Sequence, residues 1–168
     1  MSYQDFHVNG PATIDLLWSG DSAYVNLGIT VDGPDVSNRG HFEDVLADDG
    51  GPAVPVDVQY FGEDAQIRLD IIRWDETQMR RLESRIAGKT VGQVRAVDIG
   101  TLMYRGLHNF KMRINATART GLSAENTWIY NVCWAEDVIQ FKPSTKVLRK
   151  SVIIRAIPDT SGVLYTRS

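Results

Sequence analysis

Cysteine is almost absent from this sequence: Cys133 is the only one among 168 residues. A lone cysteine excludes an intrachain disulfide, so the fold has to be held by its core. Long apolar runs are also missing. No stretch approaches the roughly 20 residues of a membrane helix, and the N-terminus lacks the apolar core of a secretory signal. We therefore expect a protein kept in cytosol-like conditions, without membrane contact.

Basic residues are fewer than acidic residues. The chain carries 18 Lys and Arg against 21 Asp and Glu, which gives a formal net charge of -3 and a pI near 5.6. Generic binders of nucleic acid or of anionic membranes present a surplus of Lys and Arg, so this composition argues against both classes. Hydrophobic residues make up 43% of the chain. That is enough for a real core, and we expect a single domain over residues 1–168.

Catalytic motifs are lacking as well. His7, His41 and His108 are far apart and show no zinc-binding spacing. The sequence contains no GxSxG elbow, no Walker loop and no GxGxxG turn. The acidic stretch from Asp44 to Gly50 does not have EF-hand spacing. We expect neither enzymatic activity nor a bound metal or cofactor.

The chain does contain many short runs in which apolar and polar residues alternate, the pattern of half-buried strands. In the first run, every second residue from Ala12 to Trp18 is apolar, and Ser19-Gly20-Asp21 then turns the chain into a second run. The four tryptophans mostly lie on apolar faces, which indicates core packing. The predicted strands cover residues 12–18, 23–31, 56–61, 65–72, 97–104, 110–117, 127–134 and 147–156.

The stretch 54–74 is interrupted by Gly62-Glu63-Asp64, which predicts a turn between two strands of a hairpin. A helix is predicted directly after it, over residues 75–87. Asp75 is a good N-cap, Gln78 suits the third helical position of a capping box, and Gly88 supplies a stop.

One face of this predicted helix carries Met79, Leu82 and Ile86, while the arginines at 80, 81 and 85 and Glu83 fall on the charged face. The apolar stripe is typical of a helix that lies across a sheet. We therefore predict a mainly β protein, a β-sandwich or barrel of about seven to eight strands with one flanking helix.

Residues 32–55 are rich in Gly, Pro and Asp and predict a long excursion loop. Loops of more than about 12–15 residues are uncommon in compact domains and are usually functional or disordered. At the other end, residues 160–168 are expected to form a short edge strand or a mobile tail.

Five motifs mark residues 10–88: Gly10-Pro11-Ala12-Thr13, Leu27-Gly28 with an acidic stretch after it, Val54-Pro55-Val56-Asp57-Val58, Gly62-Glu63, and the strand that ends at Asp75. In these motifs the chain resembles tail tube and related virion structural proteins of tailed bacteriophages. The resemblance implies a sandwich or barrel with one flanking helix and a long excursion loop. It also implies a subunit of stacked, usually hexameric rings that form the channel for DNA ejection.

The resemblance implies a homo-oligomer, assembled in the host cytoplasm and located in the virion. Its neighbours would be a sheath, a baseplate or a head-tail connector, and DNA would pass without sequence-specific binding. The alternatives are another virion part, such as a tail terminator, baseplate ring or capsid decoration protein, and a small-molecule-binding β-barrel. We expect the excursion loop to contact the next ring through seven residues, which are Asp35, Arg39, His41, Glu43, Asp44, Asp48 and Asp49.

Overall fold

A computed structural model describes residues 11–46, 55–85, 100, 102–103, 108–116, 127–139 and 149–168. These residues form eight strands and one helix. In chain order the elements are β1 (Ala12–Trp18), β2 (Val25–Thr30), β3 (Asp35–Leu46), β4 (Pro55–Trp74), α1 (Glu76–Ser84), β5 (Phe110–Ala116), β6 (Thr127–Ile139), β7 (Lys150–Ile157) and β8 (Tyr165–Arg167). Most of the strand predicted at 97–104 lies outside the described residues.

The eight strands form one antiparallel sheet in the order β2-β1-β5-β6-β7-β4-β3, with β8 paired to β6. The sheet curls, because β2 pairs with β1 on one side and with the C-terminal end of β4 on the other. Gly28 permits that second pairing: a Cβ at this position would lie 2.1 Å from the Arg73 carbonyl oxygen. The predicted mainly β, sandwich- or barrel-like fold with a single helix is confirmed.

The core fills the inside of the curled sheet. In β1, the predicted inner residues are all buried, from Ala12 at the start to Trp18 at the end. The same alternation holds for β5 and β7. In β6, an extra residue between Tyr130 and Cys133, opposite β5, changes the phase, so Cys133 and Ala135 are buried where simple alternation had predicted Trp134. Burial raises the pKa of the Cys133 thiol and keeps it protonated.

The predicted hairpin between residues 56–61 and 65–72 is wrong. The chain does not turn at Gly62 but continues as β4, a single strand of 20 residues. Gly62 adopts a φ of 120° and creates a bulge, since His41 pairs with Gly62 whereas the next residue, Phe42, pairs with Tyr60. Residues 55–68 of β4 pair with β3, and residues 71–74 pair with β2. Gly62 therefore bends one continuous strand instead of separating two strands.

Within the excursion predicted at 32–55, residues 35–46 are strand β3 and not loop, and residues 47–54 lie outside the described residues. All twelve residues of β3 are exposed, and the strand is held by its pairing with β4 instead of by burial. Because Asn38, Gly40 and Asp44 interrupt its alternation, the hydrophobicity pattern gives only a weak signal for this strand.

Helix α1 begins as predicted. The Asp75 carboxylate accepts a hydrogen bond of 2.9 Å from the Gln78 backbone N–H, and Met79 and Leu82 are fully buried. The predicted end is wrong: the helix stops at Ser84 because Arg85 adopts a left-handed conformation with φ 54°. The Arg85 guanidinium donates there to the Ala135 and Glu136 carbonyls. Ile86 and Gly88 lie outside the described residues.

Two polar residues of α1 also differ from the prediction. The Gln78 side chain does not reach back to the cap but accepts a 2.9 Å hydrogen bond from the Trp18 indole. Arg81 is buried instead of solvated: it donates to Asp21 at 2.9 Å, and its guanidinium lies 4.7 Å from the centre of the Trp18 ring. These contacts anchor the helix to the turn that follows β1.

The C-terminal residues form the predicted edge strand, as β8 pairs with the start of β6. Before it, the Asp159 carboxylate accepts from the backbone N–H groups of Ser161 and Val163, which orders the connecting turn. Among the described residues, no helix is long and apolar enough to cross a membrane.

Candidate functional site

The feature that stands apart from the curled sheet is a two-stranded projection, which we call the arm: residues 39–46 of β3 and 55–64 of β4. Residues 35–38 pair with 65–68 at the edge of the sheet body. On its other side, β4 pairs with β7 only from Ala65 onward. The arm therefore extends as a ribbon beyond the body, for about 25 Å at the usual rise of a strand.

The arm has two chemically different faces, because residues that pair directly across an antiparallel ribbon share a face and alternate along it. Phe42 pairs with Tyr60, and Asp44 pairs with Val58. The same alternation puts Val36 and Ile67 on this face, and Ile67 belongs to the core. The face that contains Phe42 is thus the continuation of the core face of the sheet.

This apolar face is exposed. The exposed fraction is 65% for Phe42, 58% for Leu46, 54% for Tyr60 and 51% for Val58. The rings of Phe42 and Tyr60 contact each other with their centres 5.4 Å apart, which fixes them side by side. Contiguous exposed apolar surface of this kind marks sites of contact with another macromolecule.

The opposite, polar face is tied to the body at the base of the arm. The Asp64 carboxylate lies 2.6 Å from His41 Nε2 through one oxygen and accepts from Arg155 Nε at 2.9 Å through the other. Burial alone raises the pKa of Asp64, but the His41 hydrogen bond and the Arg155 charge outweigh it and hold the pKa below its usual value. This trio connects both strands of the arm to β7.

The arm is also acidic. Four carboxylates, those of Glu43, Asp44, Asp57 and Glu63, have no ion-pair partner among the described residues. Arg39 is the one Lys or Arg of the two arm segments. The arm therefore combines an apolar face with a surplus of negative charge.

The outer edge of β3 is unpaired within the described part of the chain, because β4 is the one strand with which it forms a ladder. Its backbone N–H and C=O groups along twelve residues are available to a further strand.

A cavity of about 290 Å³ opens where the arm meets the body. Tyr130 and Ile114 of the core are among its lining residues, and burial raises the pKa of the Tyr130 hydroxyl, which therefore stays neutral. Val36, on the same face as Phe42, also lines the cavity. The other lining residues include Pro34, Asn38, Trp128 and Tyr165.

Of the seven residues predicted to contact the next ring, only some lie together on the arm. Asp35 lies on the body part of β3, opposite Arg68. Arg39, His41 and Glu43 share the polar face of the arm, whereas Asp44 falls on the apolar face between Phe42 and Leu46. Asp48 and Asp49 lie outside the described residues.

The apolar face was not predicted from the sequence, because residues 56–61 were expected to end in a turn at Gly62 and residues 32–55 to form a loop. The signal that could have revealed it is the second alternation in DVSNRGHFEDVL, where Val36, Phe42 and Leu46 are spaced by even numbers of residues.

The described residues contain no cluster of His, Cys, Asp or Glu that could hold a metal ion. No family model matches the sequence, and no curated protein matches it. The site is therefore interpreted from its geometry and chemistry.

Proposed function

We propose that this protein is a virion structural subunit of a tailed bacteriophage, a tail tube subunit that self-assembles into stacked rings around a DNA channel. The sequence resemblance suggests this class of protein, and six subunits per ring is the number that it implies. The partners are other copies of the chain, with neighbouring virion proteins at the ends of the tube or around it. In this proposal the protein has no cofactor and catalyses no reaction.

The observation that carries the proposal is the exposed apolar face of the arm. An exposed ribbon with Phe42, Leu46, Val58 and Tyr60 on one face is unfavourable in a subunit that stays alone in water. Assembly removes these side chains from water, at about 25 cal/mol per Å² of apolar surface buried. The arm is thus suited to a chain whose stable state is an assembly.

The free edge of β3 supports the same proposal. A twelve-residue edge with unpaired backbone groups is a hazard for a protein that works as a monomer, because it recruits other strands. In a ring, the same edge can pair with a strand of the neighbouring copy and continue the sheet between subunits.

The charge of the arm suits a passage for DNA. Each Lys or Arg that contacts phosphate releases counterions and adds affinity, which would retain DNA on a channel wall. The arm instead carries carboxylates without an ion-pair partner among the described residues, such as those of Glu43 and Asp57. An acidic wall would repel the phosphates and let the duplex slide.

Removal of the arm tests the proposal. Arg39 and Asp64 are direct cross-strand partners, so residues 40–63 can be replaced by Asn-Gly, which favours a tight hairpin turn. We expect the shortened protein to fold and to stay monomeric at concentrations at which the full chain assembles. Circular dichroism and thermal unfolding check the fold, and light-scattering mass checks the assembly. Equal assembly of both proteins would contradict the proposal.

Two other functions remain as alternatives. A tail terminator, baseplate ring or capsid decoration protein could use the same arm, and isolated closed rings or binding to capsid shells would favour these parts over a tube. The cavity lined by Trp128, Tyr130 and Tyr165 specifically favours a ligand-binding protein. That function predicts a monomer that takes up an apolar fluorescent dye with quenching of tryptophan emission.

A further inference from the structure

The apolar face of the arm and the cavity at its base lie on the same side of the sheet. Val36 lines the cavity and shares a face with Phe42 and Leu46 farther along β3. The cavity presents aromatic walls, and the arm presents exposed apolar side chains. The two surfaces are therefore chemically suited to cover each other, since both are apolar.

Within one chain, the far end of the arm cannot reach the cavity. Leu46 lies ten residues beyond Val36 on the same extended strand, which corresponds to about 33 Å. Any contact between the distal arm and the cavity therefore has to join two copies.

Charge indicates how the two surfaces would fit together. Asp44 lies between Phe42 and Leu46 on the apolar face and has no ion-pair partner among the described residues. A carboxylate on an apolar docking face needs a cation from the partner surface when water is removed. Arg167 is a cation close to the cavity, because its guanidinium lies 5.1 Å from the ring centre of Trp128, which lines the cavity.

We propose that the arm of one copy docks on the cavity of a second copy, with Phe42 and Leu46 against Trp128 and Tyr165 and with Asp44 beside Arg167. This inference rests on the proposed function and names the surface that receives the arm. The contact joins two different surfaces, so it is heterologous and repeats around a ring or along a filament.

Cysteine cross-linking between two variants tests the contact directly. One protein carries Leu46→Cys and the other carries Tyr165→Cys, and the native Cys133 is fully buried. Mixed under mild oxidation, the two are expected to form a disulfide-linked dimer. Val45→Cys is the matched control for the arm, because Val45 is adjacent and exposed but points to the polar face. We expect about tenfold less dimer with this control, because its Cβ points away from the partner cysteine and a disulfide cannot form between side chains that point apart.

The results separate this inference from the proposed function. Equal dimer yields for the Leu46 and Val45 variants would overturn the inference, because random collision would explain both. No dimer, with wild-type protein forming rings or tubes in electron micrographs of the same buffer, would overturn the inference and leave the proposed function intact. No dimer and no wild-type assembly would overturn both.

A charge exchange tests the Asp44–Arg167 contact. Asp44→Arg alone and Arg167→Glu alone are each expected to weaken association by roughly tenfold, since each places like charges opposite each other. A mixture of the two variants is expected to regain assembly, because an alternating order restores opposite charges at every contact. Failure of the mixture to assemble better than either variant alone would contradict this arrangement.

Discussion

At the scale of single residues, the buried Arg81 shows where sequence patterns stop being informative. By helical spacing it belongs to the charged face, yet its guanidinium lies on Trp18 and pairs with Asp21. Both partners are about sixty residues away along the chain, so no local pattern can reveal them. Met79 and Leu82, by contrast, were predictable because a 3.6-residue period places them on one face.

Truncation of Leu82 tests the packing of the helix. Leu82 is fully buried, so Leu82→Ala should lower the free energy of unfolding by about 2–5 kcal/mol, through lost apolar burial and the cavity left behind. Urea unfolding measures the change. Arg80→Ala is the matched control on the same helix, because the ion pair that Arg80 makes within the described part of the chain is an exposed one with Glu76. This substitution should cost less than about 0.5 kcal/mol. Equal effects of the two substitutions would contradict the packing described for α1.

The Asp64 contacts predict a pH dependence. The His41 hydrogen bond and Arg155 hold the pKa of Asp64 below its usual value despite partial burial. A lowered folded-state pKa means that the stabilisation is complete above the unfolded-state pKa of about 3.9 and is lost as the pH falls through the folded-state pKa. Asp64→Asn should therefore cost about 1–3 kcal/mol at pH 5.5 and less at pH 3.

Denaturant unfolding at several pH values between 5.5 and 3 checks this prediction. Glu63→Gln is the control, because Glu63 adjoins Asp64 but has no ion-pair partner among the described residues. A difference between wild type and Asp64→Asn that stays constant over this range would show that Asp64 is not stabilised as a carboxylate.

At the scale of elements, strands that face the core were predictable and the arm was not. In β1 and β7 the alternation of large apolar residues reflects burial on one side, and the structure buries the expected side chains. In β3 the positions on the apolar face include Asn38, Gly40 and Asp44, so the alternation is broken. This strand is stabilised by backbone pairing with β4, and that pairing cannot be identified from a single sequence.

The continuity of β4 was missed for a related reason. A glycine followed by two acids is typical of a turn, and nothing local distinguishes a turn from a bulge. The difference depends on the partner strand, since β2 and β3 together pair with the whole length of β4. The candidate site follows from this pairing, so it could not be assembled from the sequence.

The two faces of the arm should respond differently to substitution. Phe42 is 65% exposed in the monomer, so Phe42→Ser should change monomer stability by less than about 1 kcal/mol. Association, in contrast, should weaken by about 2 kcal/mol or more if Phe42 is buried between copies. Thermal unfolding measures the first quantity, and light-scattering mass over a concentration series measures the second.

Glu43→Ser provides the comparison for Phe42→Ser, because Glu43 is the next residue of β3 and points to the polar face. It should leave association nearly unchanged at moderate ionic strength. Loss of association by Glu43→Ser alone, with Phe42→Ser unaffected, would assign the contact to the polar face and contradict the apolar-face account.

At the scale of the whole molecule, the proposed assembly rests on two structural properties. The curled sheet encloses its own core, so the body can fold from a single chain. The arm adds an exposed apolar face and a strand edge that no other described strand pairs with. A molecule with a self-sufficient body and an uncovered arm is suited to forming repeated contacts with other copies.

Whether the chain assembles is measured by light-scattering mass over a concentration series, with negative-stain electron microscopy of the same samples. We expect the mass to rise with concentration and the micrographs to show rings or tubes with a central hole. Tubes would favour a tail tube subunit, and isolated rings would favour a terminator or baseplate part. A protein that stays monomeric at the highest concentration, with no rings in the micrographs, would show that the chain does not form an assembly of this kind.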